Sequence, residues 1–529
     1  MSKQTLLFPI VYLILMGIAV GQVQFTQRLE VESHWADEDF YLLPREGGLV
    51  GFRMKAETPY GKKNSFQYFT ADFQLNAEKP LEKKLEDLYE LVGFDLDREL
   101  LYVLFNKGSQ YNDEKAIFEI NLEERTLTEL VVSSILEMEL QDFLVFNKKA
   151  VFMGKYDYRP VIQIFDIETK EVITVPGLFE KDARILQMRK DPELNVFDVV
   201  MSRRDTRKNK IVSILTYDTN GNKLREVKIE DLGNSSMEIV EGLLTSSTNY
   251  KQALIGPYGL KKKEAYQGLY FTKINEFGEY TNRFYNISDF DNFYNYLPEK
   301  VQEKRWKRVK KRLDKGKNTP IRNVVVTREI QAINGYYLIY NDHFTSSSSK
   351  YVPRDGNYAS NFYRLNPMMG GYGGTYNPLW LDPRLRSAQT MEQYKFLAAQ
   401  FILLDEDGNI VWDNSLSLDN TNKIEPMKFG ELVFNGNNLF YMYLDEEALM
   451  LSQINDGEVV MENEPYEIEL VNENERIAET MERSLQLIWW YDNYYLLSGK
   501  QKIRYQGDDG REKSREVNFF TKIKVDDFI

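Results

Sequence analysis

The sequence predicts an all-β fold: a β-propeller with eight blades that is closed by an N-terminal strand and carries one helical insertion. The first observation is a short sequence motif, hereafter called a phrase, that recurs eight times. In each phrase an apolar, β-prone run ends mostly in Asn or Asp and is followed by a turn and a second β-prone run. The second is the spacing of about 45 to 57 residues over most of the chain, which suits a four-stranded propeller blade. The third is that the two chain ends together supply one complete blade. The phrases occupy residues 73–76, 118–121, 164–166, 215–218, 271–275, 402–405, 451–455 and, in degenerate form, 520–524.

Each phrase is preceded by another hairpin, which favours four strands in each unit. In the seventh unit, Asn435-Gly436-Asn437-Asn438 separates two apolar runs and is typical of a short hairpin loop. A single four-stranded sheet cannot bury both of its faces, so neighbouring units must stack around an axis.

The chain ends predict how the ring closes. The last unit has apolar runs near 485–490, 494–498 and 517–525 and lacks one outer strand. Residues 23–32 precede the first complete unit and carry a strand pattern. We therefore expect eight blades, with the N-terminal strand completing the last one, and seven blades as the second choice.

The first 21 residues have the pattern of a cleaved signal peptide. Lys3 precedes an apolar stretch from Leu6 to Val20, and Ala19 and Gly21 are the small residues that a signal peptidase recognises. We expect cleavage before Gln22, a propeller over 22–529 and no transmembrane span in the mature chain, since about 20 apolar residues are needed to cross a bilayer. The chain has no Cys, which favours a bacterial periplasm or outer surface over a disulfide-rich secretory route.

Composition and motifs favour a protein without an active site. The net charge of −14 argues against nucleic-acid binding, which requires clustered Lys and Arg. We expect no metal and no cofactor, because Cys is absent, His34 and His343 have no ligand spacing, and no phosphate loop, dinucleotide fingerprint or nucleophile elbow occurs. Asp166, Asp218, Asp405 and Asp407 follow strands at turns, where Asp is favoured for local hydrogen bonds.

The interval between the fifth and sixth phrases exceeds the blade period by about 80 residues. It contains two insertions. The first, residues 286–319, predicts a helix that starts near Pro298 and ends before Gly316. Ten Lys and Arg lie between residues 300 and 317, against Glu303 and Asp314. The basic face either lies on the propeller's own acidic surface or meets an acidic protein or anionic lipid, and we prefer a protein to lipid insertion. The candidate binding residues are Lys304, Arg305, Lys307, Arg308, Lys310 and Lys311.

The second insertion, residues 345–391, is rich in Tyr, Gly, Asn and Pro. Long insertions of this kind are functional or disordered, and aromatic rings on a pliable backbone are typical of adaptable binding loops. It is predicted to be a loop without a ligand, a protein-binding loop or a glycan-stacking loop. The candidate binding residues are Tyr351, Tyr358, Tyr363, Tyr372, Tyr376 and Trp380.

Two segments resemble known groups of proteins. Residues 401–412, Phe-Ile-Leu-Leu-Asp-Glu-Asp-Gly-Asn-Ile-Val-Trp, look like the blade motif of quinoprotein-type propellers and their non-enzymatic relatives. More broadly, residues 285–420, with the basic segment, the Gly/Tyr/Asn/Pro loop and Asp-Gly-Asn-Ile-Val-Trp-Asp-Asn-Ser, resemble uncharacterised exported proteins of Bacteroidota. That resemblance implies a compartment and a lineage.

The sequence therefore predicts an exported, non-enzymatic β-propeller that scaffolds a protein assembly at the bacterial cell envelope. Its expected partners are envelope proteins, including an outer-membrane complex, and the two insertions are the expected contact surface. The alternative is a carbohydrate-binding or glycoside-cleaving propeller, in which exposed rings stack on sugars and central carboxylates carry out hydrolysis.

Overall fold

The chain folds into eight antiparallel sheets that form the blades of a β-propeller ring. The computed structural model describes residues 23–526 apart from 57–62, 86–88, 109–113, 133, 207–208, 231, 235, 248–250, 262–264, 347–392, 424–425, 471–473 and 508–509. The prediction of an all-β propeller with eight blades is thus confirmed. The six aromatic residues singled out in the second insertion lie outside the described residues.

The first four blades each consist of four strands in sequence order, from the inner strand to the outer strand. Blade 1 contains β2 (Tyr41–Arg45), β3 (Gly48–Ala56), β4 (Lys63–Ala71) and β5 (Leu81–Lys84). Blade 2 contains β6 (Tyr89–Asp97), β7 (Leu100–Lys107), β8 (Glu114–Asn121) and β9 (Thr126–Val132). Blade 3 contains β10 (Glu139–Phe146), β11 (Lys149–Tyr156), β12 (Arg159–Asp166) and β13 (Val172–Thr174). Blade 4 contains β14 (Arg184–Asp191), β15 (Val196–Arg204), β16 (Lys210–Asp218) and β17 (Lys223–Ile229).

The next three blades follow the same order with small additions. Blade 5 has a divided inner strand and contains β18 (Met237–Ile239), β19 (Leu243–Leu244), β20 (Gln252–Leu260), β21 (Tyr266–Ile274) and β22 (Tyr280–Asn286). Blade 6 contains β23 (Val324–Ile333), β24 (Tyr336–Ser346), β25 (Tyr394–Leu404), β26 (Ile410–Ser417) and the short β27 (Asn422–Lys423). Blade 7 contains β28 (Glu431–Phe434), β29 (Asn438–Asp445), β30 (Ala448–Asn455) and β31 (Glu458–Glu467).

Blade 8 is built from both ends of the chain, as predicted. The C-terminal part supplies β32 (Glu475–Thr480), β33 (Gln486–Tyr491), β34 (Tyr494–Gln506) and β35 (Glu512–Val525), and β1 (Val23–Glu32) adds the outer strand. Strand β1 pairs antiparallel with β35, from Val23 opposite Val525 to Glu32 opposite Val517. Trp490 is buried at the junction with blade 1 and donates its indole N–H to the Gly48 carbonyl at 3.0 Å. These contacts close the ring.

The hydrophobic core is distributed between neighbouring blades. One cluster joins Phe52 and Phe66 of blade 1 to Phe94 and Phe105 of blade 2, and comparable clusters occupy the other junctions. Alternate side chains of each strand point to opposite faces of its sheet, so both faces of a blade bury apolar residues against its neighbours. Each blade therefore depends on the next for its stability.

The helical part of the first insertion also follows the prediction. A 3-10 turn (Ile287–Asp289) leads to helix α1 (Glu299–Leu313), and a second 3-10 turn (Glu482–Ser484) precedes β33. Helix α1 starts directly after Pro298, and Gly316, with φ +64°, follows its end. A left-handed residue after the last turn is a common helix terminator.

Candidate functional site

The two insertions leave the propeller from the same face of the ring. The first insertion enters β23 at Val324, and the second leaves β24 after Ser346 and enters β25 at Tyr394. Strands β23 and β24 are antiparallel, with Val324 opposite Phe344, and Ser346 lies opposite Tyr394. The start of β23, the end of β24 and the start of β25 therefore meet at one edge of blade 6.

Asp413 on the outer strand of blade 6 anchors the first insertion to the ring. Its carboxylate accepts the backbone N–H of Asp291 at 2.8 Å and that of Asn292 at 3.1 Å. Burial raises the pKa of Asp413 to about 6, although the two N–H donors offset part of this effect. Ser415, two residues further on the same strand, donates its hydroxyl to the carbonyl of Asn292 at 2.9 Å. Strand β26 thus fixes the segment that leads into α1.

Helix α1 rests on that anchored segment through one side only. The Trp306 ring packs edge-on against Tyr294, with ring centroids 5.1 Å apart, and Val309 is buried. Near the start of the helix, the Gln302 amide donates to the carbonyls of Asn295 and Leu297 at 3.2 and 2.7 Å. These contacts hold α1 in a defined orientation.

The opposite side of α1 presents the basic residues that the sequence singled out. Lys304, Arg305, Lys307, Arg308, Lys310 and Lys311 are all exposed. Within the described residues, none of these six side chains forms an ion pair with a carboxylate. The helix therefore carries a concentrated positive charge that no described acidic side chain of the propeller neutralises. We call these six residues the basic surface.

Asp166, Asp218 and Asp405 have the local turn role that the sequence predicted, whereas the Asp407 carboxylate instead accepts a hydrogen bond from the Lys273 ammonium. The Asp166 carboxylate accepts the N–H groups of Glu168 and Thr169, and Asp405 accepts those of Asp407 and Asn409. In blade 1 the equivalent residue is Asp72, which accepts the N–H groups of Gln74 and Asn76. The first phrase, residues 73–76, therefore lies within the turn and not at the end of β4.

The inner strands hold buried charged residues that sequence reasoning did not identify. Arg328 on β23 donates to the Asp342 carboxylate at 2.7 Å, which also accepts the Tyr340 hydroxyl at 2.6 Å. The Tyr340 hydroxyl lies 2.9 Å from that of Tyr441 in blade 7. This network joins blade 6 to blade 7.

A second network involves two carboxylates that share one lysine. The Lys428 ammonium lies 2.8 Å from Glu329 of β23 and 2.7 Å from Glu431 of β28. Burial raises the pKa of Glu431 to about 7, with Lys428 opposing this effect. Glycoside hydrolysis by two carboxylates requires one of them as an acid and the other as a base or nucleophile. In this network the Lys428 ammonium binds both carboxylates.

Glu241 between β18 and β19 is the exception among these buried carboxylates. It is completely buried, and neither carboxylate oxygen has a hydrogen-bond partner among the described residues. Burial raises its pKa to about 8, although Lys210 and Arg328 oppose this effect. The group is therefore largely protonated near neutral pH.

His343 is a structural residue at the edge of blade 6. Its ring accepts the Asn323 amide at Nδ1 and donates from Nε2 to Gln400, both at 3.0 Å. Burial lowers its pKa to about 4, which keeps the imidazole neutral. A side chain so enclosed is in no position to exchange protons with a substrate.

In the part of the chain that the structure describes, no helix has the length and apolar character needed to cross a membrane. Over the same residues, no group of three or more His, Cys, Asp or Glu side chains could hold a metal ion.

Comparisons with known proteins return similarities in fold. No model of a protein family matches the chain, and no curated protein matches its sequence. Among solved structures, the β-propeller domain of the Trilobed protease from Pyrococcus furiosus is 10% identical, with a TM-score of 0.33, over 80% of this chain and 97% of that domain. The polysaccharide lyase Uly1 is 8% identical, with a TM-score of 0.37, over 95% and 100%.

A third similarity covers only part of the other protein. The acylaminoacyl peptidase from Pyrococcus horikoshii is 11% identical, with a TM-score of 0.32, over 83% of this chain. This chain spans 53% of that peptidase, or about half of its length. At these identities the similarities concern the propeller fold and carry no argument about activity.

Proposed function

We propose that this protein is an exported, non-enzymatic β-propeller that scaffolds a protein assembly at the bacterial cell envelope. The exported location rests on the signal-peptide pattern of residues 1–21. The propeller supplies a rigid ring, and the insertions at one edge of blade 6 supply the contact surface. The partner that fits the basic surface is an acidic face of a protein.

The basic surface is the observation that carries this proposal. Six Lys and Arg side chains lie on a helix that is held by Trp306, Val309 and Gln302, yet they have no ion-pair partner among the described residues. Unpaired like charges on one helix repel one another and lower its stability. A partner with an acidic surface would remove that repulsion and would accelerate association.

The neutralisation of the inner carboxylates supports the non-enzymatic part of the proposal. Asp342, Glu329 and Glu431 are each bound by Arg328 or Lys428. The carbohydrate-binding alternative stays a prediction that depends on the Tyr- and Trp-rich second insertion.

The test is capture of envelope proteins by the intact protein and by a charge-reversed variant. Lys304→Glu, Lys307→Glu and Lys311→Glu reverse three residues of the basic surface. The matched control reverses Lys79, Lys181 and Lys251, three exposed lysines on other blades, and so produces the same change in net charge. We expect the α1 variant to lose salt-sensitive partners that the control retains. Identical sets of captured proteins for all three would contradict the proposal.

A further variant separates the two insertions. Replacement of residues 345–391 by a short Gly/Ser linker keeps the hairpin of β24 and β25, because Phe344 and Phe396, which flank the replaced segment, lie opposite each other. Loss of a partner in this variant alone would assign that contact to the second insertion. Binding to glycans that disappears with the same replacement would favour the carbohydrate alternative.

A further inference from the structure

The outer strand of blade 7 carries an acidic counterpart to the basic surface. Strand β31 and the residues after it present five exposed glutamates, and none forms an ion pair with another described residue. Because β31 is the outermost strand of its sheet, these side chains lie at the rim of the ring. We call them the acidic strip, and they are Glu458, Glu462, Glu464, Glu467 and Glu469.

The acidic strip and the helical insertion flank the same strand. On one side, Asp413 and Ser415 of β26 bind the segment before α1. On the other side, Asn414 of β26 donates to the Gly457 carbonyl at 2.8 Å, and Asn463 of β31 donates to the Ser417 carbonyl at 2.9 Å. The segment that leads into α1 and the strand that carries the acidic strip therefore lie on opposite sides of β26.

Exposed apolar side chains mark the same rim. Large apolar residues that are at least one third exposed occur on all three elements, α1, β26 and β31. They are Val301, Leu313, Val411, Val459 and Val460, with exposures of 39%, 53%, 51%, 36% and 54%. Protein interfaces combine an apolar centre with polar and charged groups around it. This rim has both components.

We propose that the rim formed by α1, β26 and β31 is a self-association surface that binds a second copy of this chain. A two-fold rotation about an axis near β26 exchanges the positions of α1 and β31. It therefore places the basic surface of each copy against the acidic strip of the other, and the contact is made twice. Such an isologous arrangement is closed and ends at a dimer.

The inference rests on the proposed function, because it assumes that the basic surface is a docking surface. It identifies the partner at that surface as a second copy of this chain. Charge complementarity favours a second copy as the partner, because the chain itself carries both the basic surface and the acidic strip, and neither forms ion pairs among the described residues. The flanking valines and Leu313 add apolar area that a purely electrostatic contact with an anionic membrane does not require.

The experiment measures the mass of the purified protein by sedimentation velocity at low and high NaCl. We expect a dimer at low salt that dissociates as screening increases. One variant reverses Lys304, Lys307 and Lys311 to Glu, and the other reverses Glu458, Glu464 and Glu467 to Lys. Each should weaken self-association by about tenfold or more, because the first set leaves as many negative as positive side chains on the basic surface and the second leaves more Lys than Glu on the acidic strip, so the attraction between them is lost.

Mixing the two variants provides the decisive control. In the mixed dimer, the unaltered helix of one variant meets the unaltered acidic strip of the other at one contact. At the second contact, the Glu side chains introduced on α1 meet the Lys side chains introduced on β31, so association should return. Reversal of Lys79, Lys181 and Lys251, or of Glu123, Glu168 and Glu276, changes the net charge equally at exposed sites elsewhere and should leave the dimer intact. A dimer that neither rim variant weakens, or a mixture that stays monomeric, would overturn the proposal.

The outcome also separates this inference from the proposed function. A wild-type protein that is monomeric at every salt concentration overturns self-association. If the α1 variant of that monomer still loses envelope partners, the scaffolding proposal stands. If the protein forms a dimer through the rim but captures other proteins independently of α1, self-association stands. The scaffolding proposal through the basic surface then fails.

Discussion

Lys190 of blade 4 binds Asp95 of blade 2, with its ammonium 2.6 Å from the carboxylate oxygen Oδ2. The same ammonium donates to the carbonyls of Leu96 at 2.7 Å and of Val145, in blade 3, at 3.1 Å. The Asp95 carboxylate in turn accepts the Val145 N–H at 2.6 Å. One ion pair therefore ties together the inner strands of three consecutive blades.

Removal of the cation should destabilise the ring strongly. Lys190→Met leaves the Asp95 side chain, only 2% exposed, without a counter-ion. Breaking a buried pair from one side typically costs about 3 to 5 kcal/mol. Urea unfolding followed by tryptophan fluorescence measures this loss. The double variant Asp95→Asn/Lys190→Met should recover part of the stability, and equal losses in the single and double variants would contradict the explanation.

The propeller could be predicted from sequence because its signal is local and repeated. Each blade contributes hairpins whose turns contain Asn, Asp or Gly, and the turn at Asp405 shows how the carboxylate itself forms the turn. Ring closure was also predictable, since β35 lacked an outer strand and β1 had no other sheet to join. In blade 1 the sequence pattern placed the end of the strand at Asn76, whereas Asp72 forms the turn. The error arose because both residues are compatible with a turn.

The inner ion pairs could not be predicted, because they depend on how the blades are arranged around the axis. Asp95 and Lys190 are far apart in sequence, and no short pattern relates them. A weaker signal was present, since Asp95 interrupts the apolar run of β6 between Phe94 and Leu96. A charge inside such a run is usually paired when buried, but the sequence does not name its partner.

Glu241 should make stability depend on pH. Burial raises its pKa to about 8, whereas an unfolded glutamate has a pKa of about 4.3. Between these values the folded state binds more protons, so the contribution of Glu241 to stability falls as pH rises, by about 1.4 kcal/mol per pH unit. Glu241→Gln resembles the protonated side chain and should remove this contribution.

Thermal unfolding of both proteins at pH 5 and pH 8 tests the assignment. The variant should be close to wild type at pH 5 and clearly more stable at pH 8. A difference that does not change between these pH values would show that Glu241 does not carry the effect. Gln at this position keeps the shape of the side chain, so packing is matched in the comparison.

His343 should remain neutral well below the usual range for histidine. Burial lowers its pKa to about 4, and both ring nitrogens already have hydrogen-bond partners. An unfolded histidine, with a pKa of about 6.5, binds more protons between these values, so this group destabilises the fold as pH falls through that window. The chain contains two histidines, so His34→Gln leaves a single imidazole signal for NMR. A midpoint near 6.5 in that variant would contradict the buried, neutral assignment.

Asp413 should control how firmly helix α1 is attached. Asp413→Ala removes the acceptor for the N–H groups of Asp291 and Asn292, and an unsatisfied buried donor costs about 1 to 3 kcal/mol. The loss should appear mainly as local opening of the insertion, because the blade strands keep their own hydrogen bonds. Limited trypsin digestion under native conditions reports this opening, since α1 is rich in Lys and Arg. We expect faster cleavage within Glu299–Leu313 in Asp413→Ala than in Asp407→Ala, which alters an exposed turn carboxylate of blade 6 that is bound to Lys273 of blade 5. Equal cleavage rates in the two variants would mean that the contacts of Trp306 and Val309 alone hold the helix.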